Sequence, residues 1–276
     1  MTQRATWWQW PTVLSIDAPV VAVLWQLMLA RVAGVDLGWA RPAVLALSVW
    51  LAYAADRWIE GWRLDAGVIR TPRHHFYKAH RWPVAALWIA ALASDVAIAL
   101  ARLNSRDIAT GLVLIAAVAM YLLSHQLVHR HRAWRAPKEL CVAALMSAGV
   151  AVFLTASTQP GPLMMPLALF ALLCFTNCAL ISVWERDVDR AHGQTSLALG
   201  GDHERLIRQL PLMIVVLASV AAMLDVGVAR AAALSAAASG GLLALVDQFE
   251  RRAGRQPARV LADIALMTPA LTLLLQ

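Results

Sequence analysis

The chain has 276 residues, 60% of them hydrophobic and 15% charged, with a mean hydropathy of +0.61. That balance excludes a soluble globular domain and describes a polytopic membrane protein. A formal charge of +7 would point to nucleic acid in a soluble domain. Here the basic residues lie in loops beside apolar segments and form no basic-aromatic stripe, so anionic lipid headgroups are their partners and nucleic acid is not.

The N-terminal segment carries Trp7, Trp8 and Trp10 where a secretory signal would have its apolar core, and it reads as an interfacial aromatic anchor. Apolar spans long enough to cross a bilayer follow at 12–34, 41–63, 82–102, 107–125, 138–157, 162–184, 209–226, 229–247 and 257–275. The prediction is therefore one all-α domain over residues 1–276, with about nine transmembrane helices and no solenoid repeat or low-complexity tract. With nine spans, 19 of the 24 Lys and Arg residues fall on one side. Cytoplasmic loops gather such residues, which puts the N-terminus in the cytoplasm and the C-terminus outside.

Two acidic pairs sit at the cytoplasmic ends of two spans: Asp56 with Glu60 in AYAADRWIEGWR, and Glu185 with Asp189 in SVWERDVDRAHG. Each pair has i, i+4 spacing, which stacks both carboxylates on one helix face and allows each pair to hold one divalent cation. Carboxylates at membrane depth are costly unless paired, hydrated or metal-bound, so all four are candidate catalytic and metal-ligating residues. Two bound cations would make a receptor for a diphosphate. Long cytoplasmic loops follow both pairs, at 64–81 and after Asp189, each rich in Arg and His, and long loops are disproportionately functional.

Other polar and aromatic residues carry weaker signals. Asp95 and Asp247 read as helix-helix hydrogen-bond partners, whereas Asp263 and Asn177 are candidates to line a cavity. Trp58, Trp62 and Trp184 lie beside the acidic pairs and are either interfacial anchors or shields for a carbocation. Cys141, Cys174 and Cys178 read as small apolar side chains inside spans. His125, His129 and His131, with His74, His75 and His80, are similar to the histidine boxes of di-iron membrane oxygenases. Those boxes are incomplete and leave the carboxylate pairs unexplained.

Together these segments resemble the UbiA superfamily of intramembrane prenyltransferases, whose first motif is N-D-x-x-D-x-x-x-D and whose second centres on D-x-x-x-D. Aligned on Asp56, the first motif reads Ala52, Tyr53, Asp56, Glu60. The second reads Glu185 and Asp189, followed by Arg190-Ala191-His192-Gly193-Gln194-Thr195. Ser15-Ile16-Asp17-Ala18-Pro19 is similar to the family's R-x-D-K-P segment, and Trp134-Arg135-Ala136-Pro137-Lys138-Glu139-Leu140 to its T-x-L-P-K/Q segment. Ala52 and Tyr53 depart from the pattern, and the first metal site loses a ligand.

The resemblance implies nine helices around a central cavity. It also implies two Mg²⁺ ions bridging a prenyl diphosphate, with transfer of the prenyl group to an aromatic or lipophilic acceptor. Arg70, Arg73, Lys78 and Arg190 are the implied diphosphate partners. A terpene cyclase or a non-catalytic membrane protein on the same fold are the alternatives, and a bacterial inner membrane with the site facing the cytoplasm is the expected location.

Overall fold

The computed structural model describes residues 6–63, 67, 69, 71–124, 137–155, 161–201, 203–224 and 228–274. Among the described residues the secondary structure is helical throughout, and every one of the nine expected spans coincides with a helix or a pair of helices. In chain order these are α1 (Trp10–Val13), α2 (Asp17–Val32), α3 (Ala40–Arg63), α4 (Pro72–Ala79), α5 (Arg81–Arg102), α6 (Ser105–Leu123), α7 (Lys138–Ala151), α8 (Gly161–Trp184), α9 (Arg186–Ala191), α10 (Glu204–Leu224), α11 (Val228–Ala253), α12 (Arg255–Ala265) and α13 (Pro269–Leu274).

Five helices, α5, α6, α8, α10 and α11, are long and apolar enough to cross a bilayer unaided, or six spans if the bent Trp7–Val13 and Asp17–Val32 pair counts as one. The difference from nine has physical causes. The α3 helix has the length, but Arg41, Asp56, Arg57 and Glu60 lower its apolar character. The last span is divided between α12 and α13.

Burial separates an inner from an outer layer. Only 11% of the apolar window of α5 and 6% of that of α6 is buried, against 61% for α8. Leu87, Ile89 and Leu100 of α5 and Val113 and Ile115 of α6 accordingly point outward, as a lipid-facing surface requires. The inner helices pack α2 on α3, α7 on α8, α8 on α11, and α12 back on α2. Fully buried Trp25 links this ring: its Nε1 donates to Leu266 O at 2.9 Å and its ring lies 4.8 Å from that of Phe170.

Two local features aim the cytoplasmic ends at one point. Two residues after α1, Ser15 has a left-handed φ of 58°, and Ile16 N donates to Pro11 O, so the chain turns by 72° into α2. At Gly61, a β-carbon would stand 3.3 Å from Lys78 N and 3.4 Å from Tyr77 Cβ. The missing side chain lets α4 lie directly on the end of α3, which brings Arg73 and His74 over Glu60.

Candidate active site

The four acidic residues singled out by spacing line one cavity of about 180 Å³. Its walls follow helical periodicity. Tyr53, Asp56, Arg57 and Glu60 form a stripe on α3, Cys174, Asn177, Cys178 and Ile181 a stripe on α8, and Arg259 and Asp263 a stripe on α12 that continues to Leu266 just beyond its end. Arg73 enters from α4, Lys138 and Glu139 from α7, Tyr121 from α6, and Asp189 from α9.

Glu60 is held by two hydrogen bonds and a longer ion pair. Gln194 Nε2 donates to Oε1 at 2.6 Å, His74 Nε2 to Oε2 at 2.7 Å, and Arg57 approaches Oε2 at 3.8 Å. Gln194 reaches Glu60 because the chain reverses after α9: Gly193 adopts φ 64°, and Gln194 N donates to Asp189 O at 2.9 Å, closing a Schellman turn. Glu185, buried at the end of α8, receives Arg73 at 3.0 Å and Arg259 at 2.8 Å, both on Oε2. Burial by itself would raise the Glu185 carboxyl, but Arg259, Arg73 and Arg57 outweigh it and hold the group well below the usual carboxylate range. Asp189 is also buried, yet its charged neighbour, Lys138, stands 3.9 Å away.

The cations crowd one another. Burial, then the charges of Arg259 and Arg57, lower Arg73 to about 10 in spite of Glu185 and Glu60. Arg73 remains charged at neutral pH, in surroundings that favour a further anion. In addition, the buried Nε atoms of Arg73 and Arg259 have no hydrogen-bond partner. A buried donor without an acceptor is costly, and an incoming anionic oxygen removes that cost.

His74 is neutral here. Burial, partly opposed by its hydrogen bond to Glu60, lowers it from 6.5 to about 4. The geometry then assigns the tautomer: Nε2–H donates to Glu60, and Nδ1 accepts from Thr71 Oγ1. In the unfolded chain the imidazole takes up its proton near 6.5, whereas in the fold it does so only near 4. The unfolded state therefore binds more protons in between, and stability falls as pH drops through that window. Unfolding midpoints of wild type and His74→Gln, measured in detergent between pH 7 and 4, should converge on acidification, because the wild type alone loses this contribution. Parallel curves would contradict it.

Of the sequence-derived diphosphate partners, only Arg73 lies in the cavity. Arg190 is on the exposed side of α9, and half-buried Lys78 is on α4 outside the lining; Arg70 lies outside the described residues. Arg57, Lys138 and Arg259 take their place. The tryptophans do not line the cavity either. Trp58 stacks on Trp62 with its Nε1 donating to Arg81 O, and Trp184 donates to Asp247, so Tyr53 and Tyr121 are the aromatic lining. Asp95 accepts from Ser48 of α3 and Asp247 binds Arg208 of α10, the helix-helix roles expected of them.

His125, His129 and His131 lie outside the described residues. Among the described residues no group of three or more His, Cys, Asp or Glu side chains gathers as a metal cage. Magnesium, however, is ordinarily bound by one or two carboxylates together with waters and substrate phosphates. Asp56 and Asp189, on the same cavity as the arginines, fit an ion that arrives with a diphosphate.

No protein-family model matches the chain, and no curated protein matches it. Among solved structures, the apo structure of a UbiA homologue from Aeropyrum pernix K1 is similar, with a TM-score of 0.65 and 16% sequence identity over 94% of this chain and 98% of that one. The shared helical arrangement, the apolar outer layer and the enclosed polar cavity together make this chain an all-α integral membrane protein with the UbiA fold.

Proposed function

We propose that the protein transfers a prenyl group from a prenyl diphosphate to an aromatic or otherwise lipophilic acceptor inside the membrane, with Mg²⁺ carried by the diphosphate. The observation that carries this reading is the convergence of buried carboxylates and guanidinium groups with unpaired Nε donors on one cavity at the ends of membrane helices. Phosphoryl oxygens satisfy those donors, and the apolar lining below them suits a hydrocarbon chain. Asp56 and Asp189 would hold the magnesium, with Glu60 and Glu185 orienting the surrounding cations. Bound magnesium supplies a Lewis acid to the leaving diphosphate. Arg57, Arg73, Arg259 and Lys138 stabilise charge developing on the diphosphate oxygens as the allylic C1–O bond breaks, where preorganised donors contribute most. Tyr53 and Tyr121 offer aromatic faces to the allylic cation. The Lys and Arg asymmetry supports a cytoplasm-facing site, and a bacterial inner membrane is the proposed location.

The test supplies purified protein with prenyl diphosphates of several lengths, Mg²⁺ and phenolic or quinol acceptors, and identifies products by mass spectrometry. A prenylated acceptor, formed only with Mg²⁺, is expected. Cyclic hydrocarbons formed without acceptor would instead establish a terpene cyclase. Absence of diphosphate binding would mean that the fold serves a non-catalytic role.

A further inference from the structure

A second recess lies outside the catalytic cavity and shares no lining residue with it. It is an open groove of about 480 Å³ between α10 and α11, with Arg208 and Leu212 on one wall and Ala244, Asp247, Arg251 and Arg252 on the other. Both helices have the length and apolar character of membrane spans. The groove sits at the start of α10 and the end of α11, where such spans meet the membrane surface.

Its charges are unevenly matched. Asp247, the carboxylate in the lining, is already engaged: it pairs with Arg208 and accepts from Trp184 Nε1 at 3.0 Å. Arg208 is held as well by Glu204 at 3.0 Å and by Glu250 at 3.9 Å. Arg251 and Arg252 are exposed, and among the described residues neither forms an ion pair or a hydrogen bond. Two neighbouring guanidinium groups are thus left over where the nearby carboxylates are taken. Phosphate oxygens suit them, because each planar fork of N–H donors matches that geometry.

The rest of the groove selects which phosphate. Leu212, on its wall, is 59% exposed, and Val216, one turn deeper on the same face of α10, is 61% exposed. On α11, Gly241 stands three residues before Ala244 and leaves open space where a β-carbon would be. An apolar furrow therefore leads from the arginines into the depth of the spans. A free phosphate ion has no use for it, whereas an acyl chain fills it. Basic pockets between membrane helices take anionic lipid headgroups in this way.

We propose that this groove is a specific site for one anionic phospholipid, with its phosphate on Arg251 and Arg252 and an acyl chain along Leu212, Val216 and Gly241. The bound lipid bridges the ends of α10 and α11, so it stabilises the fold by the linkage of binding to stability. The site is independent of the prenyl-transfer reading, and neither stands or falls with the other.

The test adds dioleoyl phosphatidylglycerol, dioleoyl phosphatidylcholine or inorganic phosphate to the purified protein in detergent, and follows retention by native mass spectrometry and stability by the unfolding midpoint. Phosphatidylglycerol should be retained and should raise the midpoint. The zwitterionic lipid and inorganic phosphate, at the same concentration, should do neither. Arg251→Gln combined with Arg252→Gln should weaken phosphatidylglycerol binding about 30-fold, the loss of two cations of ordinary strength at a membrane surface. Arg81→Gln combined with Arg190→Gln removes the same charge from exposed positions outside the groove, and should leave binding within about twofold. Gly241→Leu directs a side chain into open space, so it should block the furrow and weaken lipid binding without lowering stability. Equal retention of the two lipids, equal losses in the two double variants, or full binding in Gly241→Leu would overturn the site. A midpoint raised as much by inorganic phosphate as by phosphatidylglycerol would overturn the lipid assignment in favour of a free anion. If a variant fails to fold, the comparison of the three ligands on wild type decides the question.

Discussion

Asp189→Asn is expected to reduce prenyl transfer by at least about 100-fold while leaving the protein folded. Asp189 is buried on the cavity wall, but its carboxylate is not taken up by a close ion pair, with Lys138 at 3.9 Å. The amide replacement keeps the volume and removes the charge that would hold magnesium beside the diphosphate, a loss felt most as the leaving group separates. Because no buried guanidinium depends on this side chain, stability should change little. Arg190→Ala, at the adjacent exposed position, should change neither activity nor diphosphate affinity by more than about twofold, in line with the small effect of surface substitutions. Turnover and calorimetric binding at varied Mg²⁺ concentration check both. Magnesium dependence unchanged in Asp189→Asn would remove this residue from the metal site.

The contrast between Asp189 and Arg190 also shows what sequence spacing can reveal. Successive residues on a helix lie about 100° apart, so if Asp189 faces the cavity, Arg190 turns away from it. Adjacency to a motif therefore does not put Arg190 on the cavity, whereas periodicity does place Arg57 and Arg259 there. Arg57 belongs to the i, i+3, i+4, i+7 series of Tyr53, Asp56 and Glu60, and Arg259 stands four residues before Asp263 in the last apolar span. The spans and the acidic pairs were legible because a membrane leaves few places for charge. The Gln194 and His74 contacts to Glu60 were not, since they depend on the left-handed Gly193 turn and on the close approach of α4 at Gly61. Tyr53, standing where the related motif has an acid, lines the cavity as an aromatic wall.

Glu185→Ala should be the most destabilising single change in the site. Its Oε2 alone receives Arg73 at 3.0 Å and Arg259 at 2.8 Å, and the two arginine side chains are only 10% and 14% exposed. Truncation would leave two buried guanidinium groups facing each other without their anion, and breaking a buried pair in this way costs about 3–5 kcal/mol. The wild-type contribution is present at neutral pH. Because the Glu185 carboxyl is held below the usual range, that contribution is lost only as pH falls through and below the range. The Ala variant should therefore lose much of its acid sensitivity as well as its stability. Glu185→Gln, which keeps an oxygen acceptor, should cost less than the Ala change. Inorganic diphosphate supplies a replacement anion, so it should raise the unfolding midpoint of Glu185→Ala more than that of wild type, by the linkage of binding to stability. Denaturation in detergent, with and without diphosphate, measures all three effects. A loss below about 1 kcal/mol, the usual size of an exposed salt bridge, would show that Arg73 and Arg259 find other anions and that Glu185 does not hold the cationic side of the cavity together.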